Sequence, residues 1–167
     1  MRPLVVLIGP PGCGKSTVGA LLAARLGVAF RDTDTDVEAL TGQSIANLFV
    51  ERGEQYFRDL EAEAVHAALN SHPGVLALGG GAIIDGGTRE ALTGHRVAYL
   101  EVDAAEAARR VGLNTARPLL LGNVRGQLAQ LLQQRRPLYE EVATITVSTV
   151  GREAADVAAH IAEELPA

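Results

Sequence analysis

The sequence predicts a single α/β domain built on a five-stranded parallel sheet with helices on both faces. Three observations lead there. Apolar runs of strand length recur without the polar alternation of a half-exposed strand, so those strands are covered on both sides. The stretches between them carry apolar residues at helical spacing. The chain has 167 residues, 47% of them hydrophobic, which is enough for one real core and too little for two independent domains.

Leu4 to Ile8 is a continuous apolar run that ends in Gly9-Pro10-Pro11-Gly12, so it reads as a buried strand entering a loop. From Ser16 to Leu26, Val18, Leu21, Leu22 and Leu26 fall at helical spacing, and Gly27 stops the helix. A short second strand, Val28 to Phe30, leads into the acidic run Asp32-Thr33-Asp34-Thr35-Asp36. Ser44 fits an N-cap for a helix that Gly53 ends, and a longer helix spans Glu54 to Leu69. Val75 to Leu78 is a third strand, followed at once by Gly79-Gly80-Gly81. Thr88 to Leu92 is a short helix and Val97 to Val102 a fourth strand. Asp103 and Glu106 have capping-box spacing for a helix ending near Gly112. Asn114 to Gly126 is irregular. A helix from about Gln127 to Tyr139, a strand from Thr144 to Val147 and a helix to Leu165 complete the chain.

Composition narrows the function. The lone cysteine, Cys13, excludes a disulfide framework and any cysteine-cluster zinc site. A formal net charge of −5 argues against bulk electrostatic binding to nucleic acid or anionic membrane. No apolar run approaches a transmembrane length or a signal-peptide core, so a cytoplasmic protein is expected. Of the 15 basic residues only Lys15 is a lysine. That position wants a compact, flexible point charge where a planar fork would not serve.

Lys15 lies inside Gly9-Pro10-Pro11-Gly12-Cys13-Gly14-Lys15-Ser16-Thr17, which matches G-x-x-x-x-G-K-[ST] between a strand and a helix. The glycines let backbone N–H groups turn towards phosphate oxygens, and the helix N-terminus adds partial positive charge. Lys15 is placed to reach the outer phosphates and Ser16 to ligate Mg²⁺. A GTPase should carry an N-K-x-D-like motif, and there is no second lysine to build one. Glu101 and Asp103 read as a strand end and a helix cap. The acidic work then falls to Asp32 and Asp34, at the carboxyl end of the second strand and facing the P-loop crevice.

Taken in order, the P-loop, Asp32-Thr33-Asp34, Thr41-Gly42-Gln43-Ser44-Ile45, Gly53 to Arg58 with Glu61, Leu78 to Ala82, Asn114 to Leu119 and Arg135 to Tyr139 resemble the shikimate kinase family over essentially the whole length. The resemblance implies one P-loop kinase domain over residues 1–167, with a mobile lid at about 112–126 and a substrate-binding helical region at about 33–70. It implies ATP-dependent phosphorylation of the shikimate 3-hydroxyl, in chorismate and aromatic amino acid synthesis, by a monomer using ATP and Mg²⁺. Under it Asp34 is the candidate base and hydroxyl acceptor, and Arg58 and Arg136 hold the carboxylate. Gly79, Gly80 and Gly81 offer backbone N–H groups. Asp32 and Ser16 organise the metal, and Arg117 in the lid meets phosphates alongside Lys15. Gly12, Cys13, Gly14 and Thr17 complete the nucleotide loop, with Arg110 over the adenine and Arg152 near the base.

The residues alone leave other readings open. Arg58 sits within a helical turn of Glu54 and Glu61 and equally fits a surface ion pair. Arg135 and Arg136 are adjacent and must point to different faces, so only one can face the site. Gly79 to Gly81 also suits a plain tight turn. A gluconate-type kinase of the same fold, or a nucleotide-binding switch with no acceptor, shares the P-loop. Acceptor-dependent ADP release separates these from a shikimate-directed enzyme.

Overall fold

The computed structural model describes residues 1–112 and 124–166. Its sheet is built from β1 (Val5–Ile8), β2 (Phe30–Asp32), β3 (Val75–Ala77), β4 (Val97–Glu101) and β5 (Ile145–Ser148), in the order β2-β3-β1-β4-β5 with every pairing parallel. The chain leaves β1 for the far edge, returns through β3, and then crosses to β4 on the other side. β1 is therefore the switch point, and the loops after β1 and β3 are neighbours at the carboxyl edge of the sheet.

The lack of alternation in the strands has the expected cause. Val5 and Leu7 point to one face, where they pack with α1 (Lys15–Leu26) and α8 (Ala154–Glu164) through Val18, Leu22 and Ile161. Val6 and Ile8 point to the other, against Val65 and Leu69 of α4 (Glu54–Ser71) and Tyr139 of α7 (Val124–Val142). Each such side chain is fully withdrawn from water, an arrangement worth about 1.5–3 kcal/mol apiece. β5 is an edge strand and keeps only Val147 buried, with Thr146 and Ser148 exposed. A third cluster of Val37, Leu48 and Phe57 joins α2 (Thr33–Thr41), α3 (Ile45–Arg52) and α4 into a separate helical flank.

The predicted elements recur with shifted ends, α7 starting at Val124 inside the stretch expected to be irregular, and three of the differences have a visible cause. β2 ends at Asp32, two residues beyond the expected strand, because Phe30, Arg31 and Asp32 pair with Val75, Leu76 and Ala77. The acidic run becomes α2, a helix that its own sequence does not advertise. Its first turn is TDTD, poor in helix formers, and only Val37 supplies a buried apolar side chain. It forms because Asp32 caps it, accepting from the Asp34 N–H at 2.8 Å, and because Asp34 and Asp36 lie at the favourable end of the dipole. The short helix α5 (Gly86–Ala91) starts two residues early, with Asp85 accepting from the Thr88 N–H at 2.8 Å. Elsewhere the caps are as expected: Ser44 accepts from Asn47 N–H at 3.2 Å, and Asp103 from Glu106 N–H at 2.7 Å at the start of α6 (Ala104–Gly112). Among the described residues, no helix is long and apolar enough to cross a membrane.

Gly19 in α1 marks a close helix–sheet approach, since a Cβ built there would run into the Phe30 ring. Replacing a mid-helix glycine with alanine ordinarily gains about 1 kcal/mol. Here overpacking should cost about 1–3 kcal/mol and outweigh it. Gly19→Ala should thus melt below the wild type, and a melting temperature at or above wild type would contradict this packing.

Candidate active site

The loop after β1 wraps towards its own interior. Gly9 has φ 155°, and a Cβ there would lie 2.7 Å from both Cys13 Sγ and the Leu100 carbonyl oxygen, so only glycine lets the loop close. Cys13 is buried beneath it. α1 follows Gly14 with no side chain capping its first turn, which leaves those N–H groups for an anion. Lys15 Nζ lies back over the loop, donating to the Gly9 carbonyl at 2.6 Å and the Pro10 carbonyl at 3.3 Å. Ser16 Oγ donates to Asp32 Oδ2 at 3.1 Å, while Thr17 is exposed on the outer turn. Ser16 and Asp32 are two hard oxygen donors beside an anion cradle. That set fits Mg²⁺, which keeps waters and shares phosphate oxygens in preference to an all-protein cage.

The turn after β3 lies between this loop and an acidic–basic cluster. On one side a Cβ at Gly80 would stand 3.1 Å from Pro11 Cδ. On the other, a Cβ at Gly79 would stand 2.5 Å from Glu61 Oε2 and 2.6 Å from Asp34 Oδ1, and one at Gly81 would stand 2.5 Å from the Arg58 guanidinium. Glycine here serves close approach. Thr33, fully buried, accepts from the Gly79 N–H at 3.4 Å and ties the turn to the start of α2.

Arg58 is no surface residue. Its side chain is 17% exposed, donates Nη1 to Glu61 Oε1 at 2.8 Å and Nε to Glu54 Oε2 at 3.3 Å, and lies 5.3 Å from the centre of the Phe57 ring. Glu61, 3% exposed, is the member of the cluster to which the sequence reading gave no role. The signal was present: Phe57, Glu61, Val65 and Ala68 make one buried stripe of α4, and a carboxylate on that stripe needs a reason. Burial pushes the Glu61 carboxyl above its ordinary value, against the charge and hydrogen bond of Arg58.

Arg136 does not join this cluster. Its side chain is 60% exposed and donates to Glu101 at 3.3 Å and Glu140 at 3.1 Å. Arg135 is half-buried and turned the other way, with its charge reaching both Glu61 and the Tyr139 phenol. Tyr139 marks the inward face of α7, and Arg135 lies one turn before it on that face, so i,i+4 spacing to the only buried tyrosine of the segment was the available signal.

The remaining candidates line the far side of the P-loop. Arg110 donates to the Gly12 carbonyl at 3.1 Å and to both Thr149 Oγ1 and the Thr149 carbonyl, fastening the loop to the end of β5. Glu106 orients it from 2.9 Å, and hydrogen bonds from Arg109 and Arg110 hold that carboxyl down to about 2. Arg152 lies past β5 and donates to the Ser148 and Asp156 carbonyls, each at 3.4 Å. Arg117 and most of the expected lid lie outside the described residues.

Comparison with known proteins gives one family. A family model described as shikimate kinase matches residues 11–166. A shikimate kinase of Thermobifida fusca is 58% identical over 99% of this chain and 96% of its own, and one of Salinispora arenicola is 56% identical over the full length of both. Among solved structures, shikimate kinase from Acinetobacter baumannii in complex with shikimate superposes with a TM-score of 0.93 at 37% identity. It spans 98% of this chain and 92% of that one.

Because the folded pKa of Glu61 lies above the unfolded one, its protonation stabilises the fold at low pH, and that contribution is lost as pH rises through the folded pKa. Glu61→Gln cannot ionise. It should therefore gain stability relative to the wild type as pH rises above the ordinary value of 4.5, in urea midpoints taken from acid to neutral pH. A difference constant across that range would contradict a desolvated carboxylate at this position.

Proposed function

As a member of the shikimate kinase family the chain catalyses ATP-dependent phosphorylation of shikimate to shikimate 3-phosphate, and we propose that the two sides of the Gly79–Gly81 turn hold its two substrates. The observation that carries this reading is the turn itself. It touches Pro11 of the phosphate loop on one side and the Asp34, Glu61 and Arg58 side chains on the other. A phosphoryl group held by the first is then adjacent to a hydroxyl held by the second.

Shikimate has a carboxylate at one end and hydroxyls at the other. Arg58 and Arg135 receive the carboxylate through charge-assisted hydrogen bonds, and Asp34 accepts from ring hydroxyls, with the N–H groups of the turn completing the contact. Phosphoryl transfer asks chiefly for alignment and for neutralisation of spreading negative charge. Lys15 supplies that charge once its ammonium leaves the Gly9 carbonyl for phosphate oxygens, and the first turn of α1 adds its N–H groups. Asp34 holds the acceptor hydroxyl in line and takes its proton as the new P–O bond forms. Ser16 and Asp32 would hold Mg²⁺, which neutralises phosphate charge during transfer. Arg110 and Arg152 lie on the nucleotide side, where the base would rest. Residues 1–167 act as one catalytic domain, residues 33–70 carry the acceptor side, and Arg117 meets ATP phosphates. Gly12, Cys13, Gly14 and Thr17 belong to the phosphate loop.

The arginine assignment separates two neighbouring side chains. Losing one partner of a desolvated charged contact costs about 2–5 kcal/mol, or roughly 30-fold and upward. Arg135→Ala should raise the KM for shikimate by at least about that factor, with a much smaller penalty on the methyl ester, which lacks the charge. Arg136→Ala should change either acceptor by less than about threefold, since its partners are exposed carboxylates. Equal penalties on acid and ester in Arg135→Ala, or a larger effect from Arg136→Ala, would overturn this assignment.

A further inference from the structure

Tyr139 ties the acceptor-side turn to the core. Its ring is fully buried and stacks on Tyr99, with centroids 5.0 Å apart and planes at 21°. Its hydroxyl donates to the Gly80 carbonyl at 2.6 Å, across 59 residues of sequence. Burial pushes the phenol pKa up, and the charge of Arg135, one turn earlier on α7, opposes this. A buried phenol needs a partner to offset its desolvation, and here that partner lies in the turn that faces the acceptor.

The Gly79–Gly81 turn has no side chains with which to anchor itself; Thr33 holds the Gly79 N–H on one side and Tyr139 the Gly80 carbonyl on the other. The Tyr99–Tyr139 stack joins β4 to α7 in the buried core. We propose that Tyr139 is a positioning residue for the acceptor: its hydroxyl fixes the Gly80 carbonyl, and with it the N–H groups of the turn, to that stack. The inference rests on the acceptor-site reading given above. Misplacement by about 1 Å is enough to slow a reaction that depends on alignment.

Tyr139→Phe keeps the ring, the stack and the burial, and removes only the hydroxyl. It should raise the KM for shikimate about three- to tenfold, and leave the ATP dissociation constant measured without acceptor within about twofold of wild type. The melting temperature should stay close to wild type. The penalty on shikimate methyl ester should be similar, because the effect passes through the turn and not through the carboxylate. In an Arg135→Ala background, removing the hydroxyl should add about the same factor. Tyr99→Phe, whose ring keeps the stack without touching Gly80, should match wild type throughout.

Acceptor kinetics within about twofold of wild type in Tyr139→Phe would overturn the proposal. So would a fall in melting temperature accompanied by equal losses for ATP and shikimate, which is what a merely structural role gives. Failure of the acceptor-site reading looks different. Arg135→Ala alone would then leave the KM for shikimate unchanged, whatever the state of Tyr139.

Discussion

The contact of a turn that carries no side chains with the phosphate loop is the constraint on which the rest of this molecule depends. β1 and β3 are adjacent parallel strands, so their following loops emerge side by side. They can touch because Gly80 presents no Cβ to Pro11, and because Gly79 and Gly81 present none to Asp34, Glu61 and Arg58. Phosphoryl transfer needs donor and acceptor within a few ångströms in a defined orientation. A methyl group on this turn would push the two half-sites apart or displace a carboxylate.

The charge pattern follows from the same crowding. Asp34 and Glu61 both approach Gly79, and such a pair in low dielectric is unfavourable without a cation. Arg58 and Arg135 provide it from two elements, α4 and α7. The cluster is therefore balanced before substrate arrives, and Arg58 opposes the cost of burying Glu61. Exposed pairs such as Arg136 with Glu140 are worth little, whereas the Arg58–Glu61 pair is shielded and holds the guanidinium in place. Stability is spent near the substrate so that the cation does not have to find its position later.

Much of this was legible in the chain. The phosphate loop, the five strands and most helix ends are local features, written in apolar runs, glycines and caps. α2 was not, because its stability comes from the Asp32 cap and the burial of Val37 against α3 and α4, which no local period reveals. Arg135 and Arg136 differ only in helical phase, about 100° apart on α7. Phase is set by which side chain the core accepts, and Tyr139 decides it from four residues away. Glu61 was left ambiguous for a related reason. Three residues after an arginine it resembles a surface partner, and only the buried stripe of Phe57, Val65 and Ala68 shows that it faces inward.

The most direct test is a crystal structure of this protein with shikimate and ADP bound. The account predicts the carboxylate within hydrogen-bonding distance of Arg58 and Arg135, a ring hydroxyl on Asp34, and the ring against the Gly79–Gly81 turn. Arg136 should stay on Glu101 and Glu140, as it is without ligand. A carboxylate held by Arg136, or a ring lying on the far side of the turn from Asp34, would contradict it.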